Sequence, residues 1–475
     1  MRKQYEESDD IDRHYDFQFL TSAEAAESTE EQFWFPVSQA LKFGSGPELL
    51  ANTMAYAGAT PQVSTSPFAM ATLSKLVTVI NSTPTINYFQ EREQKLDHVL
   101  NVFIRLNSGG TPLSYSDLLL SVATAQWKGD ARQAIHGLVD ELNKVGGNQF
   151  NFDADFVLKS ALVLTDRSNV RFEVDNFDRD ATAKMESMWE SAVRMPLLRA
   201  AELAASFGYD RRTLVTDRAL VPVAYYLMAR SAPVNVVMHP DWADDRQRIR
   251  DWLSLAILKN TFSSKTDLLL TTLRKCIQKD PSKGYPLADI EVELARLGKP
   301  LRFTAEELNS LLDAEYGARD TFSLLAMLYP ALSGQFTLHM DHMFPKSGFT
   351  KRALVAAGLD DGACATALDH FNRLPNLQLL EGTINGNKLT TPFDEWTKPM
   401  RTNPDQTGWL AYRAQNHIPE LEAGYGLAQF PAFATERRAL LKKTLQTRLP
   451  MFETTASANI QLPPLTLNAS ATTGK

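Results

Sequence analysis

The run Leu338-His339-Met340-Asp341-His342-Met343-Phe344-Pro345 sets a carboxylate directly beside an imidazole, and it is followed by Leu374-Pro375-Asn376-Leu377 and Ile384-Asn385-Gly386-Asn387-Lys388. Hydrolysis of a phosphodiester needs a water relieved of its proton, a cation against the charge that builds around phosphorus, and a group that holds the proton acceptor in place. His342 fits the acceptor, because an imidazole titrates near neutral pH. Asp341 offers a hard carboxylate oxygen and Asn385 a carbonyl oxygen to Mg²⁺ or another divalent cation, with water and phosphate completing an octahedron. Asn376 is suited to fix the base by hydrogen bonding near the His-bearing strand. Lys388 is suited to hold the scissile or a neighbouring phosphate, a plain exposed lysine being the alternative.

These side chains need particular elements beneath them. Neighbours on an extended strand point to opposite faces, so a turn or bulge is expected to bring Asp341 and His342 to one site, with Pro345 ending the strand early. Nine residues separate Asn376 from Asn385, room for a second strand, a tight turn and the first turn of a helix. Across the 34 residues from His342 to Asn376, the four residues are expected to converge on one ion-sized site. His339 would share the face of Asp341 and could approach the metal or phosphate; otherwise it is a surface residue. His370 reads as helix packing, and Arg373 beside it could meet a phosphate.

The Asp-His pair, the middle Asn, the last Asn and Lys388 resemble the HNH nucleases, with Asn in the final ligand position as in the HNH domain of CRISPR effector nucleases. Phe103-Ile104-Arg105-Leu106-Asn107-Ser108-Gly109-Gly110-Thr111-Pro112-Leu113-Ser114, followed by Tyr115-Ser116-Asp117-Leu118-Leu119, resembles the late signature of a GmrS-type, ParB-like nucleotide-binding domain. The order of the two resembles single-chain GmrSD-type type IV restriction enzymes, modification-dependent endonucleases of prokaryotic phage defence, over roughly residues 30 to 450. The resemblance implies DNA as substrate and a nucleotide-binding role for Arg105 and Asn107. The same signature also reads structurally, Gly109 and Gly110 as a turn and Ser114 with Asp117 as the cap of a helix from Tyr115 to Trp127. The Asp-Gly-Gln-Gln-Arg motif of that family's N-terminal domain is missing from the sequence. That domain is therefore expected to be partial, and NTP hydrolysis by this chain is not expected.

Composition bounds the rest. At 475 residues with 44% hydrophobic content, two or three domains are expected. No apolar run is long enough for a bilayer and no leader is legible, so a cytoplasmic protein without a membrane partner is expected. Cys276 and Cys364 are far apart and read as buried small residues in a reducing compartment. The net charge of -7 is uneven: residues 335–450 hold 13 basic against 11 acidic residues, which permits a local nucleic-acid contact. Ser66-Pro67 is a good cap and first-turn pair for a helix carrying Leu73 and Val77. Thr85 to Phe89 reads as a strand. Phe156 to Leu164, Leu220 to Met228, Ile249 to Leu258, Leu268 to Ile277 and Leu308 to Leu312 read as packed helices.

In the helix from Glu436 to Leu449, Arg437, Arg438, Lys442 and Lys443 are candidates for a DNA-backbone contact, with a solvated face as the alternative. Residues 451–475 read as a disordered tail. The fold class expected is α+β and predominantly α-helical. It divides into a partial GmrS-like domain at 1–130, a helical linker or relay at 131–330, and a ββα-metal HNH endonuclease domain at 331–450. The function expected is a metal-dependent endodeoxyribonuclease acting alone, with itself, or with a separate sensor subunit. The alternative is a noncatalytic DNA-binding or assembly subunit of a larger restriction enzyme.

Overall fold

The structure, a computed structural model, describes residues 15–27, 29, 32–83, 92, 98, 102, 120–122, 124, 126–147, 150–330 and 338–452. Arg105, Asn107, the signature around them, the strand expected at 85–89 and the tail beyond 452 lie outside the described residues. Of the helix expected over 115–127, positions 120–122, 124 and 126 are helical. Contacts divide the chain into two compact units, Met1–Gln94 and Lys95–Lys475. The boundaries expected near residues 130 and 330 both fall inside the second.

The first unit holds helices α1 (Pro47–Ala59) and α2 (Pro67–Asn81) around a small core that includes Phe43, Leu49, Leu73 and Val77. Ser66 caps α2 as its sequence suggests: the hydroxyl accepts the Ala69 N–H at 3.3 Å, and Pro67 opens the first turn.

The second unit is predominantly helical. Its described helices include α3 (Ala131–Lys144), α4 (Ala154–Leu164), α5 (Met195–Ser206), α6 (Leu220–Ala229), α7 (Ala243–Leu258), α8 (Thr266–Lys279), α9 (Leu287–Arg296), α10 (Ala305–Leu311) and α11 (Thr321–Leu328). Side-chain oxygens of Asp130, Asp153 and Thr304 cap α3, α4 and α10. Burial along α4 runs without a break from Phe156 to Leu164, so this is a central helix with no solvent face. Trp252 of α7 is fully enclosed and donates its indole N–H to the Ala219 carbonyl at 2.9 Å.

A two-stranded antiparallel sheet follows, β1 (Leu338–His342) and, after helix α12 (Asp361–His370), β2 (Leu377–Glu381). Helix α13 (Gly382–Lys388) leaves β2 directly and packs against both strands. Helices α14 (Phe393–Arg401), α15 (Thr407–Gln415) and α16 (Phe430–Arg448) follow.

The large core does not stop where the helical region ends. Leu377 and Leu379 of β2 and Leu441, Leu445 and Leu449 belong to the same cluster as α4, α7 and α11. A second cluster is built on Phe344, Phe349, Phe393, Trp409, Tyr425 and Phe433. Gly208, at φ +88°, lies where the body meets β1. A Cβ there would come within 2.9 Å of both Leu338 and Phe322, so the close approach needs glycine. Among the described residues no helix is long and apolar enough to cross a membrane.

Arg437 corrects the sequence expectation of a surface cation. It is fully enclosed. Its guanidinium donates to the carbonyls of Asn416 (3.1 Å), Pro375 (2.8 Å) and Leu377 (2.9 Å) and to the Tyr329 hydroxyl (3.0 Å). A spacing argument cannot distinguish this from an exposed arginine, because the acceptors it gathers come from three separate segments. Replacing Arg437 with Met should strand those acceptors in a dry interior, where each unmet group costs on the order of 1–3 kcal/mol. The expected result is a loss of roughly 3 kcal/mol or more of unfolding free energy, read from urea midpoints at constant slope. A wild-type midpoint would show that these contacts are dispensable.

Candidate functional site

β1 runs in regular register to its end, Asp341 opposite Gln378 and His342 opposite Leu377. The expected turn or bulge between Asp341 and His342 is therefore not there, and strand pleating sends the two side chains to different faces. The chain leaves the strand immediately after His342, two residues before Pro345.

On one face the Asp341 carboxylate is held by Lys388 and Gln378. Its Oδ2 lies 2.9 Å from Lys388 Nζ and accepts the Gln378 side-chain N–H at 2.8 Å. Lys388 is fully buried, and its ammonium also donates to the His342 carbonyl at 2.7 Å. This corrects both readings of Lys388, since a lysine enclosed in this way is neither a plain surface residue nor free to reach a phosphate. Asp341 Oδ1 keeps no protein partner among the described residues. The side-chain amide of Asn385, partly exposed on α13 one turn before Lys388, likewise makes no hydrogen bond among them. Two oxygen donors are thus left uncommitted beside the sheet. They suit a hard cation that keeps most of its waters, and they do not suit a closed zinc site. Among the described residues there is no group of three His, Cys, Asp or Glu side chains that could hold a metal.

On the other face His342 Nε2 lies 3.0 Å from Asn372 Oδ1. Its ring stacks on Tyr316, with centroids 4.7 Å apart and planes inclined by 30°. Burial, which penalises the imidazolium, holds the pKa of His342 below its ordinary value, with Lys346 and Lys388 acting in the same direction. The Asn372 hydrogen bond and the Asp341 charge oppose that shift without overcoming it. Burial thus favours the neutral form of the ring.

Asn376 sits in the turn Leu374–Asn376 just before β2 and is fully enclosed. It makes no hydrogen bond to the His342 ring. Its Oδ1 accepts the Phe344 N–H at 2.9 Å, and its Nδ2 donates to the carbonyls of Phe344 (3.0 Å) and Phe371 (2.7 Å). The Met343 N–H reaches the Asn376 carbonyl at 2.7 Å. Asn376 thus fixes the backbone on which His342 is mounted.

Of the cationic candidates, Arg373 is paired with Asp369 (2.7 Å) and Asp313 (3.5 Å), and Arg438 forks onto Asp313 at 2.5 and 3.1 Å. Both are committed to an ion-pair network between α10, α12 and α16. Lys442 and Lys443 have no ion-pair partner among the described residues. His339 is exposed on β1, and His370 returns its Nδ1 to the Thr366 carbonyl at 2.9 Å within its own helix. Sequence reasoning missed Asn372, Tyr316 and Gln378. Gln378 carries a period-two signal opposite Asp341 once the strands are paired, whereas Tyr316 precedes β1 by more than twenty residues and has no local signal.

The Asp341–Lys388 pair gives a direct test of this arrangement. Lys388→Met leaves an enclosed carboxylate without its counter-charge and should cost roughly 3–5 kcal/mol of stability, the usual penalty for removing one member of a buried pair. Lys388→Met with Asp341→Asn should recover part of that loss, and a double-mutant cycle of unfolding free energies measures it. Additive effects would mean that the two groups do not interact in solution.

No family model matches this chain, and a search of curated proteins returns no match.

Proposed function

We propose that the chain is a metal-dependent endonuclease of the HNH type acting on DNA. The observation that carries the reading is the succession of two antiparallel strands and a helix, with the Asp341-His342 pair closing the first strand, Asn376 in the turn before the second, and Asn385 on the helix. The resemblance of these motifs to HNH nucleases, and of the longer chain to modification-dependent restriction enzymes, supports DNA as the substrate and foreign or modified DNA as its class. The N-terminal part belongs to the same proposal as a partial ParB-like domain, with no NTP hydrolysis.

His342 accepts the proton of an attacking water. As the O–H bond breaks, its electron pair forms the new bond to phosphorus, and the leaving oxygen departs with the pair of the broken P–O bond. In-line displacement sets attacking and leaving oxygens on opposite sides of phosphorus. A divalent cation, held by Asp341 Oδ1 and the Asn385 carbonyl, would supply charge neutralisation at the phosphate. Asn376 and Lys388 hold the strand end rigid, and the exposed Lys346 and Lys443 are available to the DNA backbone. The alternative, a noncatalytic DNA-binding or assembly subunit, is favoured by one observation: Lys388 already neutralises Asp341 without a metal.

His342→Ala should abolish nicking of supercoiled plasmid in Mg²⁺ while leaving metal and DNA binding intact, whereas Asp341→Ala should weaken metal binding. Wild-type cleavage by His342→Ala places the base elsewhere, and a wild-type chain that binds plasmid without cutting it favours the noncatalytic reading. The lowered pKa of His342 also fixes a pH response. The acceptor must be neutral, so cleavage should hold as pH falls to the ordinary histidine value of about 6.5 and decline only below it. A single-turnover profile that already falls between pH 8 and about 7 would contradict a buried, neutral acceptor.

A further inference from the structure

We propose that Asn372 is the positioning residue for His342: its Oδ1 accepts the Nε2–H, which commits that nitrogen and leaves the Nδ1 lone pair to take the proton of water. The catalytic part of this inference rests on the reading of His342 as the base; the geometry does not. An imidazole that serves as a proton acceptor must present a bare nitrogen to the water, and the bond made by the other nitrogen decides which one is bare. His342 Nε2 meets Asn372 Oδ1 at 3.0 Å, and the face of the ring lies against Tyr316. Hydrogen bond and stacking together fix both the rotation of the ring and its tautomer.

Asn372 is itself held in place from outside the sheet. Its carbonyl accepts the Tyr316 N–H at 2.9 Å, the Leu374 N–H reaches the Ala314 carbonyl at 2.8 Å, and Glu315 pairs with Arg373 in an antiparallel bridge. The segment that supplies Ala314, Glu315 and Tyr316 joins α10 to α11 of the helical body, and Asp313 at its start ties down Arg373 and Arg438. The base is therefore set by a short backbone pairing between the helical body and the loop before β2. The opposite arrangement, with the amide turned so that Nδ2 donates to Nε2, would put the proton on Nδ1 and leave the ring unable to accept another there.

The two arrangements differ in a signal that needs no cleavage. In the metal-free full-length chain labelled with ¹⁵N-imidazole, at mildly alkaline pH, the resonances that vanish in His342→Gln identify this ring. An Nε2 of protonated type and an Nδ1 of unprotonated type are expected; the reverse overturns the proposal. In single-turnover cleavage with Mg²⁺, Asn372→Leu should slow the chemical step by roughly 10–100-fold, the usual effect of losing a partner that orients a site residue. KM and Mg²⁺ affinity should not change, and Asn372→Asp, which keeps an acceptor in place, should restore most of the rate. Wild-type cleavage by a folded Asn372→Leu overturns the proposal. Wild-type cleavage by His342→Gln would instead overturn the assignment of the base, and the ¹⁵N signals would still decide which atom Asn372 presents to the ring.

Discussion

Arg437 is the constraint on which this end of the molecule depends. Enclosing a guanidinium with no carboxylate partner is costly, and the cost is offset only if every N–H finds a fixed acceptor. The acceptors are the carbonyls of Pro375 and Leu377, which bracket Asn376, together with the Asn416 carbonyl and the Tyr329 hydroxyl at the end of α11. One side chain of α16 therefore holds the turn that carries Asn376, the start of β2 and the last turn of the helical body. Asn376 in turn holds Phe344 and so the exit of β1 at His342. A cation buried on α16 thus helps to hold the strand end that carries the imidazole.

The same logic of committed polar groups separates the two faces of β1. Asp341 and His342 cannot share a face on a regular strand, and each is taken up by a different set of partners: Lys388 and Gln378 on one side, Asn372 and Tyr316 on the other. Lys388 bridges the faces through the backbone, since its ammonium meets both the Asp341 carboxylate and the His342 carbonyl. Among the described residues, Asp341 Oδ1 and the Asn385 side-chain amide make no hydrogen bond.

The helical region is more than a spacer. It lends Tyr316 to the His342 ring and the Ala314–Tyr316 segment to the loop that carries Asn372, and its core is continuous with β2 and α16. A fragment beginning at β1 would lose the face of the imidazole and expose Leu377 and Leu379 to water. The basic residues near the site divide in the same way. Arg373 and Arg438 are spent on Asp313 and Asp369, whereas Lys443 is exposed with no ion-pair partner among the described residues.

Local pattern alone determined the helical character of the second unit. Apolar spacing from Phe156 to Leu164 and from Leu220 to Met228, like the Ser66-Pro67 cap in the first unit, is a short-range signal that tertiary packing had no reason to override. The spacing from Asn376 to Asn385 left room for a strand and the start of a helix, which β2 and α13 occupy. What each polar side chain touches was not legible. Lys388, Arg437 and Arg438 are alike in sequence as cations near a candidate site, yet one is enclosed against a carboxylate, one against carbonyls and one ion-paired at the surface. The regular strand through His342 and the partners Asn372 and Tyr316 were likewise decided only in three dimensions. Register and long-range pairing depend on which segments meet, and no spacing within a segment encodes that.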